Sequence, residues 1–362
     1  MPIPQPAEVA ALLRSRYSSD LAITDWQRVG AWAVVRARLS GAEAPDSVIV
    51  KALDVDRLRA ERSALEFLGD ELGLPLGPRV IAVGPGFLVL EDLAPRVALD
   101  TLLRDRGWAA HAERLAAFAD ARGRLGALTA GHTAGYRVRR ARLGPLGPAD
   151  DLATQYVRFE AGGEANAATL GAPIGGRAAD DLAAARAELA EPGPFLALSN
   201  RDAEVNNALV HRNGPADPRL IDFEHAGLAH ALVDAVCLHV PGPAWLWVRD
   251  PAPAERYRRA LADGIPAAAD DRRYGIGLAA ACMSWALVRL DRLPMLDARK
   301  PGEPSRLQLV ATLTAAADTA DEYRALPHLA GWACRAADTL RRRWPDTDLD
   351  VAALPPYTPR QR

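Results

Sequence analysis

Three segments near the start of the chain, residues 23–29, 33–39 and 48–53, are strand-like runs in which apolar and β-branched residues predominate or recur between polar ones, and they predict strands. A short amphipathic pattern over 7–17 precedes them and predicts a helix. Gly30 separates the first two strands, and the turn-rich stretch 40–47 separates the second from the third. Over 57–72 the pattern changes: Leu58, Leu65, Leu68 and Leu72 fall on one face of a helix that Gly73 ends. Two more strands, 79–83 and 87–90, flank the turn Gly84-Pro85-Gly86.

Beyond Leu93 the texture becomes an Ala/Leu/Arg helical pattern, with helices predicted over 109–128, 178–189, 254–262, 275–293 and 307–323. One β interruption stands in it, where 208–211 and 219–222 flank the turn signal Asn213-Gly214. The glycine-rich stretch 162–176 reads as a loop, and the proline-rich end after Leu354 as a frayed tail. The expected division is 1–93 as a small β-rich lobe, 94–354 as a larger helical lobe and 355–362 as tail, an α+β architecture.

Composition narrows the function classes. With 362 residues, 25% of them charged, and a net charge of -2, the chain is of ordinary globular type and no polycation built to wrap nucleic acid. Cys237, Cys282 and Cys334 are far apart and outside any C-x-x-C arrangement, so neither a disulfide framework nor a zinc site is expected. No apolar run suits a bilayer span and no signal peptide is visible, so the expected setting is cytoplasmic. Of the 44 basic residues only Lys51 and Lys300 are lysine, which makes each a place to look for chemistry that arginine cannot supply.

The stretch Leu198-Ser199-Asn200-Arg201-Asp202-Ala203-Glu204-Val205-Asn206-Asn207 carries an Asp and an Asn five residues apart, and Leu220-Ile221-Asp222-Phe223-Glu224 follows after the predicted hairpin. These segments resemble the catalytic loop and the D-F-G segment of the eukaryotic-like protein kinase superfamily. The non-glycine third residue, together with Leu88-Val89-Leu90-Glu91-Asp92-Leu93 at the lobe junction, is similar to its aminoglycoside phosphotransferase and choline kinase branch. The resemblance implies a bilobal kinase-like fold and ATP-dependent transfer of a phosphoryl group to a small-molecule hydroxyl. Asp202 would then accept the hydroxyl proton, and Asn207 and Asp222 would hold Mg²⁺. Glu91 and Leu93 would lie at the adenine hinge, with Gly30 the only glycine available for a phosphate-covering turn between the first two strands.

Lys51 supplies an independent argument. It stands in Val48-Ile49-Val50-Lys51-Ala52-Leu53, where a charge has no structural reason to be, and Glu61 falls within the apolar stripe of the following helix. An ion pair between them answers both anomalies, and the resemblance makes Lys51 the lysine that grips the nucleotide phosphates. Three residues depart from the kinase pattern: Asn200 in place of the usual histidine, Arg201 where small-molecule kinases more often carry glycine, and Glu204 near the expected γ-phosphate position. A carboxylate there calls for a compensating cation, expected on the acceptor or as a further metal. Glu224, Trp245 and Trp247 are further candidates for contact with the acceptor.

Competing readings differ in what they lack. A metal hydrolase is suggested by His225, His230 and His239 among acids, but no H-E-x-x-H spacing is present. A protein kinase lacks its switch, since no Ser, Thr or Tyr lies between Asp222 and Trp245. A pseudokinase that binds nucleotide without turnover remains the alternative from another class. The acceptor is open between antibiotic-like natural products and metabolites; basic residues outnumber acidic ones after Pro251, which lends no weight to a polycation site.

Overall fold

The computed structural model describes residues 2–29, 33–147, 150–241, 251–302 and 304–349. Gly30, Trp245, Trp247 and the expected tail 355–362 lie outside the described residues. In chain order the elements used below are α1 (Pro6–Arg14), β1 (Ala22–Arg28), β2 (Val34–Ser40), β3 (Ser47–Ala52), α2 (Val55–Glu66), β4 (Val80–Gly84), β5 (Phe87–Glu91), α3 (Leu99–Arg106), α4 (Ala112–Thr129) and α5 (Thr133–Arg142). They continue with α6 (Leu152–Thr169), α7 (Arg177–Ala190), α8 (Val236–His239), α9 (Ala252–Ala262), α10 (Asp271–Leu290), α11 (Leu293–Asp297), α12 (Pro304–Glu322) and α13 (Pro327–Arg343). The architecture is the expected α+β one, a small sheet at the start followed by helices. Among the described residues no helix is long and apolar enough to cross a membrane.

The chain divides into two compact units. The first comprises Met1–Val97 with two later segments, Ala134–Pro145 and Arg219–Ala226. Its antiparallel sheet has the order β1-β2-β3-β5-β4. Side chains alternate across the pleat, so Val35, Ala37, Val48, Val50 and Val89 enter a core closed by Val9 and Leu13 of α1. Lys51, between Val50 and Ala52, points to the other face; its register partners are Val34 on β2 and Leu88 on β5. Helix α2 starts where the Asp54 side chain accepts a hydrogen bond from the Arg57 N–H at 2.9 Å. It passes into a π turn over Phe67–Glu71 and ends at Gly73, whose φ of 64° is a left-handed conformation that glycine adopts without strain. α5 packs along α2: the Tyr136 ring meets Phe67 edge-on at 5.5 Å, and Arg139 pairs with Glu66 at 2.7 Å. The segment 219–226 is tied in by the Leu220 N–H donating to the Leu76 carbonyl at 2.7 Å and by the fully buried Phe223 ring.

The second unit comprises Ala98–Thr133, Leu146–Pro218 and Gly227–Arg362. α4 packs on α9, α12 on α13, and α10 runs through the middle against α6, α7 and α12. A two-stranded antiparallel ribbon pairs Leu196–Ser199 with Gly227–His230 and delivers the chain into the loop that starts at Asn200. The expected loop at 162–176 is a correction: α6 is helical as far as Thr169. Gly162 and Gly163 mark a close helix crossing there. A Cβ on Gly162 would collide with the Asp291 carboxylate, and one on Gly163 with the Leu287 carbonyl of α10. The helix over 327–343 carries an apolar stripe with Leu329, Trp332, Ala336 and Leu340 buried, which sequence reading passed over.

Candidate active site

Lys51 is only 8% exposed and its ammonium is surrounded by three carboxylates. It lies 2.7 Å from Glu61, 2.5 Å from Asp222 and 3.2 Å from Glu224. The expected Lys51–Glu61 pair is therefore present, and the strand and the helix place it inside the first unit. Burial pulls the Lys51 pKa down, but the charges of Glu61, Asp222 and Glu224 outweigh it and the net shift is upward. Lys51 stays charged. Burial pushes the Glu61 carboxyl up, with Lys51 pulling the other way. Glu224, a candidate for contact with the acceptor, lies in this cluster, and it also takes an ion pair at 3.2 Å from Arg57, on the first turn of α2. Asp222 is held with a φ of 64°, a left-handed backbone that is costly for a residue with a Cβ.

The hinge candidates sit at the end of β5. The Glu91 N–H is taken by the Arg79 carbonyl at 2.9 Å, and the Glu91 carboxylate accepts from the Arg79 N–H at 3.1 Å. Leu93 is buried. Between them Asp92, part of the same expected hinge segment, accepts through its side chain from Arg36 at 2.6 Å, from Ser47 at 2.6 Å and from the Ala94 N–H at 3.1 Å. Burial alone would raise its pKa, yet the hydrogen bonds from Arg36 and Ser47 bring it below the ordinary value. This brace links β2, β3 and the end of β5, so the residues expected at the hinge hang from a fixed point.

In the second unit the loop after Asn200 is braced from below. Arg122 of α4 is fully buried and donates to the Asn200 side-chain oxygen at 2.5 Å. That same oxygen accepts from the Asp202 N–H at 3.3 Å. The Asp202 carbonyl accepts from the Asn207 side-chain amide at 2.9 Å, which closes the loop over the five-residue spacing read from the sequence. Asn207 sits at the end of a single 3-10 turn over Val205–Asn207, and its side-chain oxygen accepts from Asn206 at 2.8 Å. Arg201 takes a left-handed φ of 57°, and its backbone N–H donates to the Ser199 hydroxyl oxygen at 2.9 Å. Ser199 in turn donates to Asp234 at 2.5 Å. Asp234 is buried, which raises its pKa against the lowering influence of Arg122 and the Ser199 hydrogen bond. Glu204 is 5% exposed, and its charge and that of Asp202 both act on Arg292, at the start of α11.

Arg122 was missed although its signal was available. It follows Leu115 and Phe118 and precedes Leu125 on the buried stripe of α4, the same charge-on-a-stripe anomaly that singled out Glu61. Ser199, Arg57 and Arg292 carry no such signal, because a serine in a strand and arginines at helix ends are ordinary.

The donor set fits a hard divalent cation in part. Glu61, Asp222 and Glu224 each offer a carboxylate oxygen, all within 4.8 Å of one another, and hard oxygen ligands suit Mg²⁺.

No protein-family model matches the chain, and no curated protein matches it. Solved structures do. Ethanolamine kinase from Plasmodium vivax superposes with a TM-score of 0.53 at 10% identity, covering 85% of this chain and 84% of that one. A Ralstonia eutropha protein described as an aminoglycoside phosphotransferase gives a TM-score of 0.50 at 14% identity, over 92% and 98% of the two chains. A choline/ethanolamine kinase family protein from Mesorhizobium loti gives 0.48 at 18% identity, over 93% and 98%. Fold outlasts sequence at such identities, and what is shared is the fold. The chain has the bilobal, kinase-like fold of the small-molecule kinases and phosphotransferases that its sequence motifs resemble.

Proposed function

We propose that this protein is an ATP-dependent phosphotransferase that moves the γ-phosphoryl group to a hydroxyl of a small molecule. The observation that carries the reading is Lys51: a buried lysine, one of two in the chain, ion-paired at 2.7 Å to a buried helix glutamate and reaching the aspartate of the D-F-E segment. Keeping such a charge in an apolar strand is costly, and anchoring nucleotide phosphates is a function that justifies it. The braced loop that holds Asp202 and Asn207 supports the same reading.

In this mechanism Lys51 neutralises phosphate charge, and Glu61 keeps the ammonium aimed. Asp202 orients the acceptor hydroxyl and takes its proton. The acceptor oxygen forms a bond to the γ-phosphorus while the bond from that phosphorus to the bridging oxygen breaks, and ADP leaves with the electron pair. Asp222 and Asn207 would hold Mg²⁺, which when bound supplies counter-charge to the phosphates. Arg122, Ser199 and Asp234 keep the loop in place.

The test is coupled ADP release over a panel of metabolite and antibiotic alcohols, with Asp202→Ala as the blank. Acceptor-dependent release that drops by about 10²-fold or more in Asp202→Ala is expected. Equal release from Asp202→Ala sinks the site assignment. Nucleotide binding without release from any acceptor points to the pseudokinase reading.

A further inference from the structure

The third residue of the D-F-E segment brings a charge that a glycine there would not. The Glu224 side chain is only 18% exposed, and one of its carboxylate oxygens, Oε2, lies 3.2 Å from the Lys51 ammonium. Glu61 and Asp222 already hold that ammonium at 2.7 and 2.5 Å. A third carboxylate therefore adds repulsion among acids and competes with nucleotide phosphates for the same lysine. The fold supplies a second cation. The other oxygen of Glu224, Oε1, takes the ion pair from the Arg57 guanidinium, also at 3.2 Å.

Arg57 is placed for this by the helix that also carries Glu61. The two stand four residues apart on α2 and so share a face. The Arg57 backbone N–H is fixed by one oxygen of the Asp54 cap at 2.9 Å, its Nε lies 3.4 Å from the other, and its Nη1 donates to Glu224 at 3.2 Å. Arg57, Glu224, Lys51 and Glu61 thus form a chain of alternating sign that starts and ends on one helix. The chain balances its own charge, and Asp222 meets it at Lys51. Arg57 is 47% exposed, so water screens its side of the pair and the effect of the pair is modest.

We propose that Arg57 is a positioning residue of the nucleotide site: by neutralising Glu224 it keeps that carboxylate from claiming Lys51, and so preserves the affinity of the lysine for phosphate. Without Arg57 the cluster carries one more negative charge, which disfavours a triphosphate, and Glu224 is left to draw on Lys51. An arginine is cationic at every working pH, whereas His225, 3.6 Å from the same Glu224 oxygen, is so only when protonated. The proposal rests on the phosphotransfer reading for its nucleotide, and a binding measurement separates the two.

The experiment measures binding of adenylyl imidodiphosphate, a non-hydrolysable ATP analogue, with Mg²⁺, by calorimetry on the full chain at alkaline pH and fixed ionic strength. Arg57→Gln is expected to raise Kd about fivefold, the scale of a half-exposed ion pair, while Arg57→Lys stays within about twofold of wild type. In a Glu224→Gln background Arg57→Gln should change Kd by less than about twofold, because the charge it answers is gone. Arg59 pairs with Asp56 at 3.7 Å instead, so Arg59→Gln, which removes the same charge from α2, should bind as wild type does. An equal loss of affinity with and without Glu224, the mark of a merely structural role, overturns the proposal. So does an Arg57→Gln variant with wild-type affinity, or a loss in Arg59→Gln as large as in Arg57→Gln. In each of these cases wild-type binding leaves the phosphotransfer reading standing; a wild type that binds no nucleotide sinks that reading and the proposal with it.

Discussion

Lys51 stands among valine, isoleucine and alanine on β3, and its charge is tolerable only because three carboxylates meet it on the face away from the sheet core. Removing one member of such a cluster leaves the others uncompensated in a low-dielectric setting. Lys51→Met should therefore lower the unfolding free energy by about 3 kcal/mol, read from urea denaturation at neutral pH. The double variant Lys51→Met/Glu61→Met should recover much of that loss, since an apolar pair of similar volume carries no buried charge. Nucleotide binding should be lost in both, which separates the role in ligand binding from the role in folding. A single variant as stable as wild type would show that the cluster is solvated.

At the scale of elements, the crossing of α6 and α10 depends on residues that lack side chains. Glycine in a helix interior costs about 1 kcal/mol relative to alanine, so Gly163→Ala ought to stabilise an isolated helix. Here the added methyl meets the Leu287 carbonyl, backbone that cannot turn aside. Gly163→Ala should destabilise the protein by about 1–3 kcal/mol, the range of overpacked cores, while Gly131→Ala, with open space around it, stays within about 0.5 kcal/mol of wild type. Thermal melting of the two variants side by side is the check.

At the scale of the molecule, acid sensitivity is set by buried groups of opposite sign. Burial pushes His239 from 6.5 down to about 4, and lowers His230 as well, with Glu188 opposing the shift. A histidine whose folded pKa is depressed favours the folded state above its ordinary pKa. That contribution is lost as pH falls from about 6.5 toward about 4, because the unfolded chain then binds a proton that the folded one refuses. Glu61, Glu160 and Asp234, raised by burial, act in the reverse sense, their contribution being present at low pH and lost as pH rises. The wild-type profile is a sum, so the informative quantity is its difference from His239→Gln. Between pH 6.5 and 4.5 the urea midpoint of wild type should fall relative to that variant; parallel profiles would mean that His239 titrates normally.

Much of the candidate site was readable from one-dimensional patterns. A lysine in an apolar strand, a glutamate on a helix stripe and the spacing of Asp202, Asn207 and Asp222 are all local violations or local intervals, and burial makes the charges of Lys51 and Glu61 costly enough to be informative. Strand-like apolar runs and leucine spacing likewise located the sheet and α2, because residue type and, in the helix, the period of the apolar positions are local properties. The partnerships were not readable. Glu224 in the Lys51 cluster, Arg122 under Asn200 and Asp92 between Arg36 and Ser47 join residues up to 173 positions apart, as Lys51 and Glu224 are. No period relates such positions. The glycines at 162 and 163 show the limit most plainly: the chain alone presents them as loop formers, and only the approach of α10 reveals them as the contact surface of a helix. Local sequence determines what each segment tends to be and which residues are out of place in it. Packing between distant segments decides which charge each misplaced residue meets, because electrostatic and steric contacts act through space and follow the fold rather than the order of the chain.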